Sequence, residues 1–395
     1  MPLLTAEIKK FIAERKGVSA EELALQARKR PELPLAFVAQ QVKGRSKIEK
    51  KLPLWFENED ALFPKSVSLE QCSSEVAARY KASLVEGERA IDLTGGFGVD
   101  SRFLCDRFKR VVHVERQVEL LEVVSENAKA FGIDEQLECV QGDGLEALDQ
   151  RSAEWDLIYV DPARRDARSL KVSALEDCEP NLLQCWDELL EKGKLVMAKL
   201  SPGLDITRGL EQLRQVFAVH VVSVDNECKE VLFMAKENWS SEARIHCVNM
   251  ANSDCLDCFE FSFSEERSLE GAYGPLRRYL YEPNASVMKG GGYKSFSKKM
   301  AMPLIGQRSR FLSSDIRLES FPGRVFEILD TGNLSAKDAK ALFPEKVANV
   351  LVRNCGMGAE ELKKKLKLRD GGDHFAIGTT DWEDKRVLLK ARRIS

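Results

Sequence analysis

The residues best suited to chemistry lie in a short run that joins an apolar stretch to a glycine-rich turn. Residues 90–100 read Ala-Ile-Asp-Leu-Thr-Gly-Gly-Phe-Gly-Val-Asp, with Asp92 ending the apolar stretch and Gly95, Gly96 and Gly98 after it. Glycine suits such a turn because the backbone must bend tightly and let a ligand approach without a Cβ in the way. The run is typical of a strand leading into a nucleotide-binding turn and a helix, although one glycine turn alone is weak evidence.

Two more carboxylates follow the next two apolar runs. Glu115 comes directly after residues 111–114, and Asp143 follows residues 137–140. Because the carboxyl ends of neighbouring parallel strands share one crevice, we expect Asp92, Glu115 and Asp143 to line a single nucleoside slot. Glu115 suits a bidentate hydrogen bond to a ribose diol, and Asp143 suits a hydrogen bond from an adenine amino group. A single loop carboxylate is more often only solvated, and the three in register favour the nucleoside site.

A second run, residues 156–165, reads Asp-Leu-Ile-Tyr-Val-Asp-Pro-Ala-Arg-Arg. Asp161 can accept a hydrogen bond from an amino group and so orient the lone pair of that nitrogen, and a backbone carbonyl held by Pro162 can do the same. Asp and Pro are also common turn formers, so a simple strand-ending turn is the alternative. The position beside the nucleoside slot favours an acceptor site, with Arg164 next to it.

Two basic segments could contact a phosphate backbone. The first contains Arg164, Arg165, Arg168 and Lys171, and its alternative is a solvated loop. The second, residues 283–314, has no acidic residue; it contains Lys289, Lys294, Lys298, Lys299, Arg308 and Arg310, interleaved with Tyr293, Phe296 and Phe311. These aromatic residues either stack bases or anchor a loop to a core, and the sequence leaves both interpretations open.

The elements that must position these residues show as changes of pattern along the chain. Residues 1–84 are predicted to be helical: Ser19 and Glu22 form a capping-box pattern, and a further helix starts near Ser73 or Ser74. From residue 88 onward short apolar runs alternate with amphipathic helices, which predicts a parallel sheet. Its strands are expected at residues 90–93, 111–114, 137–140, 157–160 and 194–199, followed by an antiparallel hairpin at 220–224 and 231–235.

Beyond residue 236 the pattern predicts further α/β structure. A strand is expected at 258–263, ahead of the second basic segment. The last part of the chain alternates predicted strands and helices, which indicates a small separate domain. Its elements are expected at 325–329, 335–342, 348–352, 359–366, 375–379 and 387–390.

With these motifs the sequence resembles the class I S-adenosylmethionine-dependent methyltransferases, whose first motif runs Asp/Glu-x-Gly-x-Gly-x-Gly. Thr94 replaces the first glycine, a variant similar to that of some bacterial ribosomal RNA guanine-N2 methyltransferases. The matching residues are Asp92, Thr94, Gly96, Gly98 and Asp100. The resemblance implies that S-adenosylmethionine is held by Asp92, Thr94, Gly95, Gly96, Gly98, Asp100, Glu115 and Asp143.

The same resemblance places Asp161 and Pro162, with Arg164, in the family's catalytic motif, which is similar in enzymes that methylate nitrogen or bases in nucleic acid. Ala163 departs from the usual second proline, and Arg164 stands where adenine-specific enzymes have an aromatic residue that stacks a flipped base. Adenine-N6 specificity is therefore doubtful. No cysteine lies beside the motif, as methylation of a pyrimidine carbon would require, so a nitrogen acceptor is favoured.

The flanking segments resemble bacterial methyltransferases with a C-terminal THUMP-like domain, through residues 281–289 and the final α/β module. This implies structured RNA, transfer RNA or ribosomal RNA, as the substrate. The expected fold class is α/β: a Rossmann-like class I methyltransferase sheet, an all-α N-terminal segment and a small C-terminal α/β domain. The expected domains are residues 1–84, 85–236, 237–323 with the second basic segment, and 324–395.

Composition limits the remaining possibilities. Hydrophobic residues make up 44% and charged residues 31% of the 395, which is typical of a folded globular protein and argues against extensive disorder. There is no apolar run that predicts a membrane span and no secretion-signal pattern, so a cytoplasmic location without a membrane partner is expected. The net charge of −3 does not by itself indicate a nucleic-acid partner.

The ten cysteines are expected to be mostly reduced core residues. His246, Cys247, Cys255 and Cys258 offer four potential zinc ligands, but Cys258 lies in a strand-like alternation and a two-knuckle spacing is absent. We therefore expect no metal site.

Three other functions stay open from the sequence alone. A methyltransferase with this site could act on a protein or a small molecule, or the chain could be a nonenzymatic RNA-binding protein that retained a nucleotide fold. An NAD-dependent dehydrogenase is the weakest alternative, because it leaves Asp161 and Pro162 without a role. The sequence fixes neither the modified atom nor the oligomeric state.

Overall fold

The computed structural model of the protein describes residues 5–13, 34–151, 154–164, 175–251 and 254–394. The predicted capping box at residues 19–22 and the basic residues Arg165, Arg168 and Lys171 lie outside this part of the chain. The chain divides into two compact units. The first comprises residues 1–219, 230–242 and 251–254, and the second comprises residues 220–229, 243–250 and 255–395.

Helices of the first unit surround its sheet and fill its N-terminal part. They are Ala6–Ala13, Leu35–Ile48, Pro53–Glu57, Ser66–Gln71, Glu75–Ser83, Val99–Leu104, Val118–Ala130, Gly144–Asp149, Leu182–Lys192 and Ile206–Gln212. The helix predicted near Ser73 or Ser74 begins after Ser74, whose side chain accepts a hydrogen bond from the Ala77 amide. Such a cap satisfies one of the amide groups that a helix leaves unpaired at its start.

The strands between residues 87 and 235 appear in chain order as β1 Gly87–Asp92, β2 Phe108–Glu115, β3 Leu137–Gln141, β4 Leu157–Val160, β5 Ala163–Arg164, β6 Cys178–Glu179, β7 Val196–Leu200, β8 Val216–Val224 and β9 Glu227–Ala235. Seven neighbouring strands of the nine-stranded main sheet run in the order β8-β9-β7-β4-β1-β2-β3. Strands β3, β2, β1, β4 and β7 are parallel, and β9 pairs antiparallel with β7. The Rossmann-like sheet and its antiparallel final hairpin are thus as predicted, and the loops after the five parallel strands share one edge.

Two apolar clusters hold the sheet in place. One lies between the sheet and the helices on it and includes Val111, Leu157 and Met197. The other joins the N-terminal helices to the helices Val99–Leu104 and Val118–Ala130 around the buried Trp55. The N-terminal helices therefore pack against the two helices that follow β1 and β2.

The second unit contains a separate sheet with helices of its own. The strands that follow β9 along the chain are β10 Arg244–Ala251, β11 Asp254–Phe261, β12 Tyr279–Pro283, β13 Leu312–Ser314, β14 Gly323–Asn333, β15 Asn349–Val352, β16 His374–Thr380 and β17 Arg386–Arg393. The order β13-β12-β14-β17-β16-β15 forms one sheet, in which β15 and β16 are parallel. Its helices are Phe263–Ser268, Ala285–Gly290, Tyr293–Met300, Ala336–Leu342 and Ala359–Leu366.

The second basic segment is folded, and base stacking by two of its three aromatic residues is ruled out. Phe296 and Phe311 are fully buried, so they anchor the segment to a core and cannot stack bases. The side chain of Tyr293 is partly buried, and its hydroxyl donates to the Met288 carbonyl. Exposed cations remain at Lys298, Lys299, Arg308 and Arg310.

Within the described residues, no helix has both the length and the apolar character that crossing a bilayer requires.

Candidate active site

The turn after β1 is built on a buried hydrogen-bonded cluster. Asp92 accepts hydrogen bonds from the Thr94 amide at 3.1 Å and from the Ser101 hydroxyl at 2.6 Å. The Ser101 oxygen lies 2.9 Å from Nδ1 of His113. Because Ser101 donates to Asp92, the ring nitrogen of His113 is the donor in this second contact. Asp92 is 1% exposed, so its carboxylate holds the turn through these hydrogen bonds from inside the protein.

Burial governs the protonation of this cluster. It raises the pKa of Asp92 to about 7, against a lowering by the Ser101 hydrogen bond. It lowers the pKa of His113 to about 4, so the imidazole is neutral at neutral pH. A neutral ring with its hydrogen on Nδ1 can donate to the Ser101 oxygen.

The glycines give the turn its shape. A Cβ on Gly95 would lie 2.1 Å from the His113 ring, so only glycine fits above the imidazole. Gly96 has a φ of +58°, and a Cβ there would meet nothing closer than 3.7 Å. The backbone at Gly96 is therefore open on one side, as a turn that receives a nucleoside must be. Gly98 also has positive φ, at +76°, where the helix Val99–Leu104 begins.

Glu115 and Asp143 lie beside this turn, at the ends of β2 and after β3. Glu115 accepts hydrogen bonds from the Gly96 amide at 3.0 Å and from the Gln117 amide at 2.8 Å. Asp143 caps the helix Gly144–Asp149 by accepting from two of its amides. Each Glu115 oxygen accepts one of these hydrogen bonds, whereas Asp143 Oδ1 accepts both helix amides and leaves Oδ2 outside the cap. The Glu115 oxygens and Asp143 Oδ2 can therefore accept further hydrogen bonds, which the hydroxyl and amino groups of an adenosine could donate.

Arg116 links two parts of this edge. Its guanidinium contacts the Asp143 carboxylate and donates to Glu179 at 2.6 Å. Burial by itself raises the pKa of Asp143, but Arg116 and the helix amides lower the pKa below its ordinary value. Asp143 therefore stays an acceptor-only carboxylate.

Asp161 lies at the same edge, after β4. Its amide donates to the Thr94 hydroxyl at 2.6 Å, so the threonine that replaces a family glycine ties the first turn to the candidate acceptor site. The Asp161 carboxylate forms an ion pair with Lys199 at the end of β7. Pro162 follows, and Arg164 pairs through its backbone with Cys178 in the short ribbon of β5 and β6. The Arg164 side chain lies outside the described residues.

Asp100 lies deeper than a ligand contact requires. It forms an ion pair with the buried Lys81 at 2.9 Å and accepts from Tyr159 at 2.9 Å and from Ser73 at 2.7 Å. Burial by itself raises the pKa of Asp100, but Lys81 and Lys199 outweigh it and lower the pKa. Lys81 also contacts Glu230 at 3.0 Å.

The structure thus brings the predicted residues to one edge of the sheet, through direct contacts between Gly96 and Glu115 and between Thr94 and Asp161. Sequence reasoning missed several of their partners: Lys81, Ser101, His113, Arg116, Lys199 and Glu230. Lys199 had a signal, because it ends a predicted apolar strand next to the one that precedes Asp161. Lys81 and Glu230 had none, because only the tertiary fold brings them together.

No group of three or more His, Cys, Asp and Glu side chains converges as a metal site within the described residues. His246 instead stacks on His220, with ring centroids 4.5 Å apart, and Cys247 is buried. The side chain of Cys255 lies outside the described residues.

Comparison with protein families gives three matches along the chain. A model described as RNA cap guanine-N2 methyltransferase matches residues 87–164. A ferredoxin-like domain matches residues 279–322, and a model described as THUMP domain-like matches residues 323–393. No curated protein matches the chain.

Among solved structures, a protein from Porphyromonas gingivalis W83 that was assigned as a methyltransferase is similar over both entire chains, 100% of each, with 30% identity and a TM-score of 0.85. A Streptococcus mutans protein with the same assignment, in complex with SAH, has 17% identity over 40% of this chain and 94% of its own, with a TM-score of 0.31. TrmK from M. capricolum, in complex with S-adenosyl-homocysteine, has 12% identity over 42% and 70%, with a TM-score of 0.34.

Proposed function

We propose that this chain, which belongs to the class I S-adenosylmethionine-dependent methyltransferases with a C-terminal THUMP-like domain, methylates a base nitrogen in structured RNA, either transfer RNA or ribosomal RNA. Two matches support RNA as the acceptor. The model over residues 87–164 describes an RNA methyltransferase, and the model over residues 323–393 describes a domain like THUMP. Methylation of guanine-N2 is the specific reaction in the first description and is the first to test.

The observation that carries the proposal is the position of Asp161 at the edge that also holds Gly96 and Glu115. S-adenosylmethionine supplies a methyl group on a positively charged sulfur. In our proposal Glu115 and Asp143 accept hydrogen bonds from its adenosine part, and the turn at residues 94–98 gives it space. Asp92 and Asp100 hold the turn and its helix from inside.

At the acceptor, Asp161 accepts a hydrogen bond from the amino group and so directs the nitrogen lone pair at the methyl carbon. The nitrogen–carbon bond forms as the carbon–sulfur bond breaks, the bonding pair stays on sulfur, and the nitrogen proton leaves afterwards to water. Alignment of this kind supplies much of the rate in such transfers, because little acid or base help is needed. Pro162 restrains the backbone next to the acceptor.

Transfer of labelled methyl groups tests the substrate class. Full-length protein is incubated with labelled S-adenosylmethionine and either total RNA, the same RNA after nuclease treatment, or protein extract. We expect label in intact RNA alone, and mass spectrometry of its nucleosides identifies the methylated base. Label that appears only in protein or in small molecules would contradict an RNA acceptor.

Replacement of Asp161 tests the site. Asp161→Asn is expected to lower the transfer rate at least about 100-fold while the dissociation constant for S-adenosylhomocysteine changes less than about threefold. Asp156→Asn is a matched control, because Asp156 precedes the same strand β4 at its opposite end and also pairs with a lysine, Lys194, at 3.0 Å. Full transfer by Asp161→Asn would remove Asp161 from the acceptor site.

A further inference from the structure

Lys199 is a partly buried cation whose partner carboxylate is the more exposed of the two. Its side chain is 14% exposed, whereas that of its partner Asp161 is 34% exposed. Taking an ammonium group out of water is costly unless carboxylates surround it. A strand end next to the site could hold an apolar residue without that cost, so the charge of Lys199 needs an explanation.

The carboxylates around Lys199 come from several elements. They are Asp161 after β4, Glu230 in β9 and Asp100 in the helix Val99–Leu104. Burial by itself lowers the pKa of Lys199, but these carboxylates outweigh it and raise the pKa, so the ammonium keeps its charge.

A second lysine already forms ion pairs with two of these three carboxylates. Lys81, 2% exposed, lies 2.9 Å from Asp100 and 3.0 Å from Glu230. Hydrogen bonds from Ser73 and Tyr159 to Asp100 complete that pairing. Asp161 is the carboxylate with which Lys199 makes its direct contact.

We propose that Lys199 is a positioning residue for methyl transfer, which fixes the direction of the Asp161 carboxylate from the protein interior. The inference rests on the proposed function of Asp161. The main chain of Asp161 is held by Thr94 and its side chain by Lys199, so both ends of the residue are restrained. The carboxylate is then already oriented when an amino group arrives, which lowers the entropic part of the barrier.

The test compares single and double variants of the full-length protein in single-turnover transfer to the RNA that the wild type methylates. Lys199→Met is expected to lower the transfer rate about 100-fold, with less than about threefold change in KM for RNA or in S-adenosylhomocysteine binding. Lys194→Met, which removes the lysine that precedes β7, is expected to leave all three values near wild type. Its lysine is exposed and paired with Asp156.

The double variant separates positioning from a general structural role. If Lys199 acts through Asp161, then Lys199→Met combined with Asp161→Asn loses no more activity than Asp161→Asn alone, because the two losses are not additive. Thermal unfolding shows whether Lys199→Met folds. If it does not, the double variant Lys199→Met with Glu230→Gln takes the place of Lys199→Met in the comparison, because it also removes one of the carboxylates left in excess.

Additive losses, or a wild-type transfer rate in Lys199→Met, would overturn the positioning role. A wild-type protein that methylates no RNA would instead contradict the proposed function.

Discussion

Glu115 has a carboxylate that contacts the glycine turn and the start of the next helix at once. One oxygen accepts from Gly96 and the other from Gln117. Glu115→Gln replaces one acceptor with an amide NH₂, which cannot accept from a backbone amide. Loss of charge-assisted hydrogen bonds costs about 1.5–3 kcal/mol, so we expect S-adenosylmethionine to bind about 10- to 100-fold more weakly in isothermal calorimetry.

Glu119→Gln is the control for this prediction, because it makes the same change of charge at an exposed residue of the helix Val118–Ala130, which follows Glu115. It should bind the cofactor as the wild type does. Equal affinity in Glu115→Gln and Glu119→Gln would mean that Glu115 does not contact the ribose.

At the scale of elements, the buried His113 in β2, which packs beneath the turn after β1, makes the free energy of unfolding depend on pH. The unfolded chain protonates this histidine below its ordinary pKa near 6.5, whereas the folded protein does so only below about 4. Between these values the unfolded state binds more protons, so this residue makes the free energy of unfolding fall as pH falls from about 6.5 to about 4. The full contribution is about 3 kcal/mol.

Asp92 has the opposite effect on the pH dependence of stability, over a similar range of pH. Its pKa is raised to about 7, so the folded state binds the extra proton, and this residue makes the free energy of unfolding fall as pH rises from about 4 to about 7. We therefore predict how the stability difference between His113→Gln and the wild type changes with pH. His113→Gln lowers stability at pH 7, and this loss should shrink by about 2–3 kcal/mol at pH 4.5 in urea unfolding.

Val112→Ala is the control, since Val112 is the buried neighbour of His113 in β2 and has no titratable group. Its loss of stability should be the same at both pH values. A loss in His113→Gln that does not change with pH would show that the imidazole is protonated alike in the folded and unfolded chain.

Helices and strands were predictable from the sequence wherever the spacing of apolar residues follows the buried face of the element. β4 occupies Leu157–Val160 and one helix of the second unit occupies Ala359–Leu366, both as predicted. The two-residue strands β5 and β6 were missed, because two residues carry no periodicity. The second basic segment shows the same limit, since spacing alone could not tell that Phe296 and Phe311 are buried.

The candidate site was predictable to the extent that it follows from parallel topology. That topology alone places the residues after β1, β2, β3 and β4 at one edge. Lys81 and Glu230 are 149 positions apart, and no local pattern indicates their pairing. The roles assigned to the individual site residues stay predictions until the variants are measured.

At the scale of the whole molecule, the candidate cofactor residues all belong to the first unit, whereas the THUMP-like match lies in the second. The first unit contains both the N-terminal helices and the Rossmann-like sheet, which share the cluster around Trp55. The four-domain division at residues 84, 236 and 323 stays a prediction. A variant that weakens only the second unit should therefore leave cofactor binding unchanged.

Glu282 in β12 offers that variant. Its carboxylate is buried and lies 2.6 Å from Arg353, and it also pairs with Arg324 in β14. Glu282→Gln leaves two guanidinium groups without their counter-charge, and breaking a buried pair in this way costs about 3–5 kcal/mol. We expect the midpoint of heat unfolding to fall by roughly 10 °C, with the dissociation constant for S-adenosylhomocysteine unchanged. Glu319→Gln, an exposed change in the same unit, should alter neither value. An unchanged midpoint in Glu282→Gln would show that the two arginines find other partners, and weaker cofactor binding would show that the second unit contributes to the cofactor site.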